Sequence, residues 1–217
     1  NRDIKDREKE WVDVKWNPTI TLPQLRSLVD MMNNMLLIPA KKKEFIMGKA
    51  TGKGYDSPQH TVVLSSDYYM CKYEVTRSLW YAVMNDSIVT EKGMLPMTHI
   101  TWNDAEAFTK ELNKLTGLPF SLPTEAQWEY AATGGESYPY AGSDNIRDVA
   151  YYASNANERL HPVGEKHENG FDLYDMSGNA AEWCTDWMNR YENTRVTDPQ
   201  GPAENPGHHK KIVRGGS

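Results

Sequence analysis

Apolar positions recur with helical or strand periods up to about residue 133 and lose any period beyond it. Leu22, Leu25, Leu28 and Met32 form a stripe at helical spacing. Thr21 precedes them as an N-cap, and Pro23 falls in the first turn, where its missing N–H is harmless. These residues predict a helix over about 22–34. Met35–Pro39 and Glu44–Gly48 read as two short strands around a Lys-rich turn, and Gly52, Gly54 and Pro58 mark a loop. His60–Ser66 and Tyr68–Val75 are β-rich. A helix opens after Thr76 as its cap, and a second begins at Asn103 and ends at Gly117. Thr124 and Gln127 make a capping box, with a hydroxyl on the first residue and an amide three later, for a third helix through about Ala132. After Gly134, Gly, Pro, Asn and Asp recur every few residues. Such a stretch is too long for one loop in a compact domain unless something else organises it.

Composition narrows the class. The chain has 217 residues, 39% hydrophobic and 25% charged, an ordinary globular balance. Aromatic residues favour Trp (7) and Tyr (12) over Phe (4), which suits a loop-rich fold with polar anchors. A net charge of −6 argues against nucleic acid as a partner. Lys41, Lys42 and Lys43 read as a solvated turn. No apolar run approaches the length of a transmembrane segment. Cys71 and Cys184 are the only cysteines, so no disulfide framework is predicted and the redox compartment stays open. Residues 1–20 are charged and aperiodic and read as an N-terminal arm.

The run Asn169–Trp187 carries the chemistry. Its nineteen residues hold two Gly, two Asn, four carboxylates and two Trp. Neither helix nor strand favours that mixture, whereas a backbone turning tightly around a cation uses all of it. Ca²⁺ takes six to eight hard oxygen ligands and can organise a loop that lacks a ladder of its own. The alternative is a turn in which Asp175 caps and Glu182 faces water.

Seven stretches occur in order: Met35–Ala40 with Phe45–Gly48, Ser57–Val62, Tyr73–Thr76, Ile100–Ala105, Leu122–Ala131, Asn169–Trp183 and Arg214–Ser217. On these the chain resembles the formylglycine-generating enzyme (sulfatase-modifying factor) family. The resemblance covers 35–217 and leaves 1–34 as an N-terminal arm and helix. It implies an α+β, C-type-lectin-like fold with little regular secondary structure and structural calcium. One implied calcium site takes side-chain oxygens from Asp175 and Glu182 and carbonyls from Gly178 and Ala180. A second would begin at Asn155 and Ala156, with Asn157 or Glu158 standing in for ligands in a shortened segment before Val163.

The family reaction oxidises a sulfatase cysteine to formylglycine with O₂ and a copper ion held by two thiolates, the donors soft Cu(I) prefers. The resemblance places that pair just past Ser217, so the domain reads as C-terminally incomplete, with copper expected only if cysteines follow. The catalytic residues are therefore unknown. Cys71 and Cys184 read as small buried hydrophobes. The structural cysteines of the animal enzymes would fall near Thr109 and Ala132. No two of the six His are spaced as helical metal ligands, and His208-His209 reads as solvent-facing. Two functions follow: an oxidoreductase of the formylglycine-generating type, and a non-catalytic cell-envelope or surface binder of a protein or peptide partner. A calcium-dependent fold points to the periplasm or cell surface, with the N-terminal arm as a lipoprotein tether.

Overall fold

The computed structural model describes residues 14–52, 54–86 and 93–216. The first thirteen residues of the predicted arm, and Ser217, lie outside them. Helix α1, Leu22–Asn33, opens with a full capping box: the Thr21 hydroxyl takes the Gln24 N–H and the Gln24 side chain takes the Thr21 N–H. Its inward face differs from the predicted stripe. Leu28, Met31 and Met32 are buried, while Leu22 is 60% exposed. Gln24 is turned inward to close the box, which rotates the apolar face away from Leu22.

Strands β1 (Met35–Ile38) and β2 (Lys43–Met47) flank the exposed lysine turn, yet they do not pair with each other. β1 runs antiparallel to β4 (Tyr68–Cys71), and β2 antiparallel to β3 (His60–Leu64). Asp67 accepts the Lys41 N–H at 2.7 Å and helps to turn the chain from one sheet to the other. β3 also pairs, in parallel, with the two-residue β6 (Val196–Thr197), giving the order β2-β3-β6. A third sheet joins β5 (Glu182–Trp187) to β7 (Lys211–Arg214) antiparallel, with an irregularity between Trp183 and Trp187.

The remaining helices are α2 (Arg77–Met84), α3 (Trp102–Thr116), α4 (Glu125–Thr133) and the short α5 (Ile146–Val149). Thr76 caps α2 as expected. Thr101 caps α3, whose first residue is Trp102, one before the predicted start, because the Asp104 carboxylate closes a box with Thr101. Gly117 ends α3 in the left-handed conformation. Both bonds of the predicted Thr124–Gln127 box are present at the start of α4.

Two apolar cores result. One gathers the sheets and α4 around Ile38, Val62, Ala131, Leu173 and Cys184. The other packs α1, α2 and α3 through Leu28, Leu79, Trp80, Phe108 and Leu112. Trp80 and Phe108 stack there at 4.9 Å with planes 5° apart. Two indoles tie the cores together: Trp102 on α3 donates to Cys184 O on β5, and Trp183 on β5 donates back to Ile100 O.

Candidate calcium loop

Past Gly134 the backbone is held by side chains instead of ladders. Asn169, buried in the first core, donates to the carbonyls of Ala131 and Ala132 and accepts the N–H groups of Phe171 and Leu173. One amide thus fixes the end of α4 and the start of the loop. Its neighbour Gly170 packs so tightly that a Cβ there would lie 2.4 Å from Gly134 O.

The loop then delivers Asp175, only 1% exposed, into the interior. Its Oδ2 accepts the Gly164 N–H at 2.8 Å. Its Oδ1 is buried and has no hydrogen-bond partner among the described residues. An orphaned buried carboxylate oxygen is costly and asks for a cation. At Gly178 the backbone passes so close to Tyr151 O that a Cβ would sit 2.1 Å from it. A Cβ on Gly215 would lie 3.3 Å from Ala180 O and 3.7 Å from Glu182 Oε1, so that carbonyl and that carboxylate border the same small space.

Sequence reasoning assigned no role to Glu74, although it lies inside the Tyr73–Thr76 stretch. Glu74 is buried, and its two oxygens accept from Ala180 N and Asn179 Nδ2, each at 2.8 Å. A carboxylate two residues before a helix cap was the available signal. Burial pushes Glu74 up to about 9, and the charges of Glu182 and Asp175 push the same way. Burial lifts Glu182 to about 7, and the charge of Asp175 pushes the same way. Burial also raises Asp175. Glu74 feels the charges of both Asp175 and Glu182, and Glu182 feels that of Asp175, an unfavourable grouping that a divalent cation would relieve. Among the described residues, no three His, Cys, Asp or Glu side chains are grouped to hold a metal by themselves. The ion would need backbone carbonyls beside Asp175 and Glu182, the ligand mix that the family resemblance implies.

Asn155 and Ala156 sit differently. Asn155 Oδ1 takes the Tyr152 N–H, and Ala156 O takes both the Arg159 N–H and the His161 ring. Their oxygens are already engaged within their own turn.

The cysteines belong to different cores. Cys184 is fully buried in the first. Cys71 packs against the second with its Sγ 3.2 Å from Met35 Sδ. Both are free, and burial raises both thiols, Cys71 to about 12. They do not fit a shared copper site. His209 is exposed as predicted, but His208 is half-buried against Tyr55 with its Nδ1 enclosed. The Gly-rich end is anchored by Arg214, whose guanidinium reaches Glu125 at 3.2 Å and Glu129 at 2.6 Å. Lys211 rests between the Trp102 and Trp187 rings at 4.1 and 4.0 Å.

Three short sheets, an irregular half and inward-facing carboxylates define a C-type-lectin-like domain. The chain belongs to the sulfatase-modifying factor enzyme 1-like domain family, whose model matches residues 24–217. It is 33% identical over 189 residues to the chaperone protein LppX of Paenibacillus barcinonensis, covering 62% of this chain and 68% of that one. It is 34% identical over 148 residues to the formylglycine-generating enzyme of Streptomyces coelicolor, covering 60% of this chain and 44% of that enzyme. The chain thus spans less than half of that enzyme's length. Among solved structures, Treponema denticola variable protein 1 superposes with a TM-score of 0.70 at 29% identity, covering 84% of this chain and 82% of that one. PvdO of Pseudomonas aeruginosa, at 23% identity and a TM-score of 0.64, shares the fold.

Proposed function

We propose that this formylglycine-generating-enzyme-like chain is a calcium-stabilised, protein-recognising domain and that the 217 residues carry no oxidase activity of their own. The observation behind this reading is the separation of Cys71 and Cys184 into two cores, with neither thiol poised to become a thiolate. Oxidation of a sulfatase cysteine, the family reaction, needs a thiolate pair that these two do not make. Calcium would be held by Asp175 and Glu182 with the carbonyls of Gly178 and Ala180, and its role is structural. It balances buried negative charge and fixes a segment that has no ladder. Asn155 and Ala156 are a weaker second site, since their oxygens already have partners.

A protein or peptide is the partner this reading names, in line with relatives that include formylglycine-generating enzymes and a chaperone protein. No helix among the described residues is long and apolar enough to cross a membrane. We place the protein in the periplasm or at the cell surface, where calcium is abundant. The test is mass spectrometry of a sulfatase-motif cysteine peptide incubated with the protein, Cu(I), reductant and O₂. The expected result is no conversion. An aldehyde product abolished by replacing Cys71 or Cys184 would overturn the reading.

A further inference from the structure

We propose that Glu74 is a positioning residue for the calcium loop: it clamps the peptide that joins the Gly178 and Ala180 carbonyls without being a ligand. The inference rests on the calcium reading above. Each peptide unit is planar, so fixing an N–H fixes the carbonyl on the other side of the same bond. The Asn179 N–H donates to Tyr151 O at 2.8 Å and thereby orients the Gly178 carbonyl. The next plane, which carries the Asn179 carbonyl and links Gly178 to Ala180, is fixed by Glu74, which takes the Ala180 N–H on Oε1. Asn179 sits between the two planes at φ +65°, a left-handed turn that reverses the chain. Its side chain is locked on both sides. Nδ2 donates to Glu74 Oε2 and, at 3.2 Å, to His161 O, and Oδ1 accepts the His161 N–H at 3.1 Å.

The chemistry calls for a carboxylate at position 74. Both groups facing it are donors, and a carboxyl group presents an acceptor oxygen to each. A glutamine of the same shape would set its own NH₂ against one donor and lose that bond. The segment carrying Glu74 is itself braced against the loop. Tyr174 N donates to Lys72 O at 3.1 Å, and the Tyr73 and Tyr174 rings lie 5.3 Å apart.

The experiment is a titration of the native chain and its variants with Tb³⁺, read by tryptophan-sensitised luminescence and by displacement with Ca²⁺. Circular dichroism confirms folding of each variant. Glu74→Gln is expected to weaken binding about ten- to a hundredfold, the usual effect of losing an outer-shell partner. The double variant Glu74→Gln/Asn179→Asp restores the bond between positions 74 and 179 with reversed donor and acceptor at unchanged net charge, but loses the one to His161 O, and it is expected to recover part of the affinity. A residue that merely supports the fold would lower the melting temperature equally with and without calcium and would not be rescued by the swap. If Glu74→Gln does not fold, Asn179→Gly, which keeps the left-handed turn, removes the same clamp from the other side. Binding by the folded variant within about twofold of native would overturn the proposal, being far below the usual outer-shell effect. Absence of ion binding by the native chain, with Glu182→Gln behaving identically, would instead defeat the calcium reading itself and the proposal with it.

Discussion

The helical core and the loop half solve the same problem by opposite means. In α1, α2 and α3 the backbone satisfies itself, and apolar side chains such as Leu28, Trp80 and Phe108 hold the helices together. Between Gly134 and Glu182 the described residues form one short helix and no strand until β5. There the backbone is held by single polar side chains: Asn169, Asn179 and, from outside, Glu74, each making several bonds, and Asp175 through the Gly164 N–H. The first region should tolerate polar changes and suffer from lost volume. The second should tolerate small losses of volume and suffer from lost acceptors and donors.

The largest effects test that contrast directly. Phe108→Ala removes one ring of the stacked pair and is expected to cost about 3–5 kcal/mol in urea unfolding. Asn169→Ala strips partners from buried carbonyls and N–H groups and is expected to cost about 2–4 kcal/mol, despite the small volume lost. A cost for Asn169→Ala near that of a surface change would break the comparison. Next comes calcium. Saturation at a hundredfold excess over Kd should stabilise by about 2.7 kcal/mol, so chelation should lower the melting temperature. Hydrogen exchange should quicken in 163–182 more than in α3, and a uniform change across both would count against a loop-specific ion. Thr124→Ala, which loses half of a capping box, should cost about 1 kcal/mol, and a neutral result would mean that Gln127 alone fixes the helix start. The smallest effect is on the thiols. With Cys71 raised to about 12 and Cys184 fully enclosed, neither should be alkylated at pH 8 without denaturant, and rapid labelling of either would show a more open interior.

The two halves were unequally legible in the sequence. Helix positions followed from caps: Thr21, Thr76 and Thr124 each start the helix expected of them. Orientation was harder to read, since Leu22 completes a plausible stripe yet faces out while Gln24 turns in. Strand partners were not legible either. β1 and β2 look like neighbours, but each pairs with a strand further along, a choice made by packing over α4. In the loop half the family likeness drew attention to Asp175 and Glu182. The structure adds the orphaned Asp175 oxygen and the space shared by Ala180 O and Glu182. Glu74 escaped notice because its partners lie 105 and 106 residues away, a separation no local pattern records.

The parallel pairing of β3 with β6 governs the order in which this molecule is made. Val62 meets Val196, and Ser65 N–H meets the Asp198 carboxylate across a gap of 133 residues. The β2-β3 pair therefore stays one strand short until residues 196–197 have left the ribosome. Pairings this distant in sequence are slow to form and leave apolar strands uncovered meanwhile. The helices around Phe108 have no such wait, because their partners are close in sequence. A nascent chain will thus acquire its helical half early and carry an unfinished sheet with it, so assistance during synthesis matters most for β2 and β3.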